Sequence, residues 1–526
     1  MERITIKRRH MSAFQQLLDH SQKVSHFEHL SAIVGWDQAA VMPSGGAEAR
    51  SNAMAELSVH IHSLMTQPQL GDLFAKAEEE NLSVEQSAVL REMKRDWQQA
   101  NLLPESLVQA QSLAGSKCEH AWRTQRGNND WQGFEKNWAE VVTLSREEAQ
   151  IRAEAKGVSA YDAMLDIYEP GTTTTSLDQL FSDVKTWLPS MIDQAIEKQA
   201  SGQIQLPNGH YPAEKQKALG LDVMKLLQFD FEHGRLDESV HPFCGGVPSD
   251  VRITTRYDEK EFVQSLMGIV HETGHARYEQ GLPKAFAGTS AGQARSMGIH
   301  ESQSLFFEMQ LGRSPAFVEH LAQLATNYFQ GDEFKTDNLA KIYTRVEKGY
   351  IRVDADELTY PAHVILRYEI ERDLMNGVIK HTDVPELWNE KMKSYLGLST
   401  EGNYKNGCMQ DIHWTDSQGG NVTRKNHNYK NGCMQDIHWT DGSFGYFPSY
   451  TLGAMYAAQF MAAMKQTVDV DGAIRTGDLT PIFTWLSENI WSKGSLLTTD
   501  ELVKSATGET LNPKHFKQHL INRYLR

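Results

Sequence analysis

Along most of the chain, apolar side chains recur three and four positions apart, the spacing that places them on one face of an α-helix. Phe14, Leu17 and Leu18 begin the pattern, and Leu177, Leu180, Phe181 and Val184, followed by Trp187 and Met191, repeat it. Residues 82–99 mix Glu, Lys, Arg and Gln with spaced Val and Leu, as a helix with a solvent-facing side does. Two-residue alternation is scarce. Val251-Arg252-Ile253-Thr254-Thr255 is the best strand candidate, and residues 203–206 are a second. The pattern predicts a mainly α protein with a small β-sheet near residue 250. No Pro-, Gly- or Ser-rich linker divides the chain, so residues 11–526 are expected to form one domain and residues 1–10 a disordered extension.

With 526 residues the chain is long enough for a large buried core. Hydrophobic residues make up 40% and charged residues 23%, as in globular proteins generally. A net charge of −16 repels phosphate backbones, so nucleic acid is not expected as a partner. The four cysteines include no Cys-x-x-Cys pair, which argues against a disulfide framework and a thiolate metal site. The basic start Met1–His10 leads into polar residues rather than an apolar run, and no stretch of eighteen apolar residues follows. A cytoplasmic protein that does not engage membranes is the expectation.

Against this background His271-Glu272-Thr273-Gly274-His275 carries specific chemistry. It is the H-E-x-x-H pattern, of which chance supplies about 0.06 in a chain of this His and Glu content. On a helix, positions i and i+4 share a face, so both imidazoles can meet one metal ion while Glu272 reaches a water beside it. Phe262, Leu266 and Ile269 give the preceding apolar stripe, and Gly281 and Pro283 a stop signal. The competing reading is a polar helix face whose histidines only hydrogen-bond. A third ligand is needed, and Glu301 is the best candidate, with His300 beside it as the alternative. Glu301 is expected to open a second helix through Leu305, Phe306 and Met309 that ends at Gly312. Two histidines and a glutamate form a known catalytic zinc set.

One segment is duplicated. Residues 403–416 and 428–441 both read NYKNGCMQDIHWTD, offset by 25 residues. An exact single repeat is a local duplication rather than a solenoid. A loop of that length costs only about 1 kcal/mol in closure entropy, so the fold can absorb it. A gene-model or assembly error is the other explanation.

Several fragments together resemble the carboxypeptidase Taq family of metallocarboxypeptidases, from about Met11 onward. In order they are Asp250-Val251-Arg252-Ile253-Thr254, the His271–His275 motif, His300-Glu301-Ser302-Gln303, Ile351-Arg352-Val353-Asp354-Ala355-Asp356, and Gly432 to Trp439. They correspond to that family's D-x-R-x-T, H-E-x-x-H, H-E-S-Q, I-R-x-x-A-D and G-x-x-Q-D-x-H-W. Trp36-Asp37-Gln38, Met42-Pro43, Gly45-Gly46 and Arg50 are also similar to its N-terminal region. The resemblance implies a helical single domain with a deep groove, a homodimer, and removal of residues from peptide C-termini. It implies that His271, His275 and Glu301 bind the metal, zinc or cobalt. The family has one copy of the repeated segment. The second copy, joined directly to Tyr446 and the helix beginning near Tyr450, is the one expected to fill the site.

The chemistry assigns further roles. A metal brings the pKa of water from about 16 towards 7, and Glu272 is the expected general base. Tyr446 and His438 are candidate donors to the tetrahedral oxyanion. A terminal carboxylate calls for a guanidinium, with Arg352 the first candidate and Arg252 the second. The competing reading for Arg352 is an ion pair with Asp354 or Asp356. Asp250, Asp356 and Asp436 are expected to orient a histidine or arginine. The alternatives to a carboxypeptidase are an oligopeptidase or endopeptidase with the same metal site, a catalytically impaired binding protein disabled by the duplication, and a metal-free helical scaffold.

Overall fold

A computed structural model describes residues 11–239, 242–410 and 443–526. The expected extension at 1–10, Asp436, His438 and the rest of the second repeat lie outside the described residues.

Twenty α-helices and one three-stranded sheet make up the described structure, as the apolar spacing predicts. The first helix runs Ala13–Ala40, where the Ser12 side chain accepts from Gln15 N and Phe14, Leu17 and Val24 turn inward. The polar stretch becomes the helix Val84–Ala100, started by a Ser83/Gln86 capping box. The helix Thr174–Gln199 buries Leu177, Phe181, Val184, Trp187 and Met191 along one stripe. These side chains join a single large apolar core running from Ala114 to Tyr524. Among the described residues, no helix is long and apolar enough to cross a membrane.

The sheet comprises β1 (Gly234–Glu238), β2 (Phe243–Val247) and β3 (Asp250–Thr255), in the order β1-β3-β2. β3 runs parallel to β1 and antiparallel to β2, with Ile253 opposite both Leu236 and Cys244. Val251 and Ile253 face inward, as their alternation predicts, and pack with Leu236 and Cys244 against Ile269 and Ala276. Residues 203–206 are not a strand. Their backbone finds a side chain instead of a neighbouring strand: Gln205 N donates to Asn338 Oδ1 and the Asn338 amide donates back to Gln205 O, both at 2.8 Å.

Candidate metal centre

The H-E-x-x-H motif lies on a central helix, Val263–Gly281. Its first turn has no side-chain cap of its own; Glu261 accepts from Val263 N and Gln264 N at 2.6 and 3.0 Å. The chain returns in the helix Met297–Leu305, capped by Ser296, whose side chain accepts from Ile299 N. Glu301 therefore sits a full turn inside this return helix rather than opening it, because the N-cap lies five residues upstream. Residues Phe306–Gly312 continue as π-helix, a widening often found beside functional residues.

The two helices touch through backbone. A Cβ on Gly274 would stand 2.6 Å from Gln303 O, so only glycine permits this approach. A third helix, Pro448–Met464, covers the far side of the return helix.

This packing brings His271, His275 and Glu301 together, each offering one ligand atom within 4.8 Å of the others. His275 Nε2 lies 3.5 Å from Glu301 Oε2. His300 stands on the opposite side of His275, with Nδ1 2.7 Å from His275 Nδ1, so it is not part of the converging set. His271 Nδ1 is held by Glu308 Oε2 at 2.8 Å, and the Arg313 guanidinium holds the other Glu308 oxygen. The Arg313 charge in turn interacts with Glu357, which accepts from His519, Arg523 and Tyr524.

The residues fit a metal. His275 Nε2 is buried and has no hydrogen-bond partner in the protein, a costly state that a cation relieves. Burial, then the neighbouring His300 and His271 charges, hold His275 well below the usual histidine range, keeping it neutral as a ligand must be. Burial and nearby carboxylates push Glu272 up to about 8, and burial pushes Glu301 up to about 7. His271 moves the other way: burial works against its charge, but the Glu308 hydrogen bond and surrounding acids outweigh that and bring it to about 9. Glu272 and Glu301 beside two imidazoles thus form a cation-seeking cluster, and a bound cation would pull both acids back down. The β2 edge also touches the site, since Cys244 N–H donates to Glu272.

The other sequence candidates divide. Arg352 is 2% exposed, and its charge reaches Glu301. Its guanidinium lies 5.0–5.4 Å from the ring centres of Tyr450, Phe447 and Tyr360, and it donates to the Tyr360 hydroxyl. Arg252 instead makes a two-pronged pair with Asp250 at 2.6 and 2.8 Å and lies over Trp36. Asp250 thus orients an arginine as expected. Asp356 does not: its carboxylate accepts from the backbone of Glu347, Leu358 and Thr359, stabilising the turn that precedes the helix Tyr360–Met375. Tyr446 is buried, its ring edge-on to Tyr168 and to Tyr450. Arg50 ties the first helix to the second through Asp37 at 2.6 Å.

The expectation that the second repeat fills the site falls on residues outside the described ones. The start of the first copy is packed, however. Gln410 accepts from Arg352 N at 2.9 Å and donates to Tyr350 O, while Trp122 Nε1 donates to Met409 O. Glu308 and Tyr360 escaped the sequence reading. Glu308 is seven positions beyond Glu301 on the same helical rod, a spacing of two turns that could have marked it.

The carboxypeptidase Taq (M32) metallopeptidase model matches residues 16–423 and 421–524, and the break between the two stretches falls in the spacer between the repeats. Carboxypeptidase 1 of Bacillus subtilis is 33% identical, covering 97% of both chains. Thermostable carboxypeptidase 1 of Thermus thermophilus is 34% identical, covering 98% of both. The solved structure of Trypanosoma cruzi metallocarboxypeptidase 1 is 46% identical and superposes with a TM-score of 0.91, over 98% of this chain and 99% of that one. A His-His-Glu cluster inside a helical fold shared along its whole length with these enzymes leads to one assignment: the chain belongs to the carboxypeptidase Taq family of metallopeptidases.

Proposed function

We propose that the protein is a metal-dependent carboxypeptidase that releases amino acids from peptide C-termini, with zinc the preferred ion and cobalt second. The convergence of His271, His275 and Glu301 around a partnerless imidazole nitrogen carries this reading, together with family membership. Imidazole and carboxylate ligands suit a borderline ion of this kind.

When bound, the metal supplies Lewis acidity, making water acidic at neutral pH and polarising the scissile carbonyl. The remaining work belongs to side chains. Glu272, buried beside the ligands, takes the proton from the attacking water and hands it to the leaving amine. Arg352 pairs with the terminal carboxylate of the substrate, its guanidinium steadied by three rings. Arg252 is already engaged by Asp250 on the same strand. Tyr446 is the proposed donor to the oxyanion, and His438 remains its companion candidate.

The test uses one short peptide with a free and with an amidated C-terminus. Release of the terminal residue from the free form alone is expected, abolished by a chelator and restored by zinc. Equal cleavage of both forms would favour an endopeptidase, and no cleavage by zinc-loaded protein across a broad peptide panel would favour an impaired binding protein.

A further inference from the structure

His271, His275 and Glu279 stand at successive fourth positions on the central helix, so all three share one face. His300, from the return helix, inserts between the last two. Its Nδ1 lies 2.7 Å from His275 Nδ1 and its Nε2 2.8 Å from Glu279 Oε1. The His275 and His300 side chains are each 1% exposed and that of Glu279 is 11% exposed.

With His300 neutral, the proton count in this row has one solution. A contact of 2.7 Å between two ring nitrogens holds a single proton. Glu279, as a carboxylate, can only accept, so His300 Nε2 carries hydrogen. A neutral His300 then presents a lone pair at Nδ1, and the shared proton belongs to His275 Nδ1. This leaves His275 Nε2 bare on the side facing Glu301. The reverse arrangement sets two lone pairs against each other at Glu279 and puts a hydrogen on Nε2, where the ligand set converges.

We propose that His300 and Glu279 are positioning residues that fix the tautomer and ring orientation of His275, holding its Nε2 lone pair ready for the metal. This rests on the reading of His275 as a ligand. The two ligand histidines are then supported differently: His271 leans directly on a carboxylate, and His275 on a neutral imidazole with the carboxylate one step behind.

Competition with a chromophoric chelator measures zinc affinity in wild type, His300→Leu, His300→Asn and Glu279→Met. Removing the acceptor in His300→Leu is expected to weaken zinc about 10- to 100-fold. His300→Asn, whose amide oxygen can replace Nδ1 as acceptor, is expected to recover most of that loss. The visible spectrum of the cobalt-loaded Leu variant should shift, and that of the Asn variant should stay near wild type. Wild-type affinity in His300→Leu would overturn the proposal, as would equal loss in the Leu and Asn variants. Should His300→Leu not fold, Glu279→Met, which removes the acceptor for His300 Nε2, carries the test, with a smaller weakening expected and unchanged affinity overturning the proposal. A wild-type protein that binds no zinc would instead overturn the ligand assignment beneath it.

Discussion

Gly453 packs directly on Glu301: a Cβ at Gly453 would stand 2.8 Å from Glu301 Cγ and 2.9 Å from its Cβ. Gly274 presses on Gln303 and Ser304 of the same return helix, so that helix is held by two glycine contacts. Gly453→Ala is therefore expected to displace Glu301, weakening zinc about 10- to 100-fold and costing about 1–3 kcal/mol of stability. Chelator competition and thermal unfolding check both effects. Unchanged affinity would show that Glu301 has room to yield.

Glu272 lies beside His271, His275 and Glu301, and burial raises its proton affinity towards neutral pH. Glu272→Gln preserves shape while removing the base. The expected outcome is wild-type zinc content with turnover reduced by about 100- to 10,000-fold. Metal analysis alongside steady-state peptide hydrolysis distinguishes loss of the base from loss of the ion, and substantial remaining turnover would refute the role.

Deleting residues 403–427 leaves one complete NYKNGCMQDIHWTD segment between Gly402 and Gly442. Because the copies are identical, any 25-residue deletion starting between 403 and 417 gives the same polypeptide. That chain retains a glutamine able to bond Arg352 N as Gln410 does. A soluble protein with peptidase activity at or above wild type and a melting temperature no lower is expected. An insoluble product would mean that both copies are integral to the fold.

Glu357 is fully buried and accepts from His519 at 2.6 Å and from Arg523 and Tyr524 at 2.8 Å. Burial pushes its carboxyl up, but the Arg523 and His519 charges reverse this and hold it well below the usual carboxylate range. A folded value below the unfolded one, about 4.3, means its contribution is complete above that pH and is lost as pH falls towards the folded value. Glu357→Gln is expected to lower stability at neutral pH by about 3 kcal/mol and to flatten the acid decline of the melting temperature. Melting curves from pH 7 downwards check the slope, and parallel curves for the two proteins would contradict it.

The helices were legible because burial needs a periodic stripe, and Leu177, Phe181 and Val184 write one plainly. His271, His275 and Glu301 were legible because ligand chemistry restricts residue type and spacing. β1 and β2 were not, since β1 has a single apolar residue, Leu236, the Gly245-Gly246 pair leaves β2 without alternation, and both depend on a partner, β3, elsewhere in the chain. The sequence could not sort Arg252 and Asp356 because an ion pair and a turn cap leave the same sequence trace as a site residue. Only geometry separates Arg252 on Asp250 from Arg352 among its three rings.

Behind His271 the charges alternate from Glu308 through Arg313 and Glu357 to Arg523 in the last helical turn. Removing one member strands its neighbour's charge where water cannot screen it, whereas exchanging two neighbours together need not. Descendants of this sequence should therefore cross that row in matched double steps, and single-step intermediates should be rare survivors.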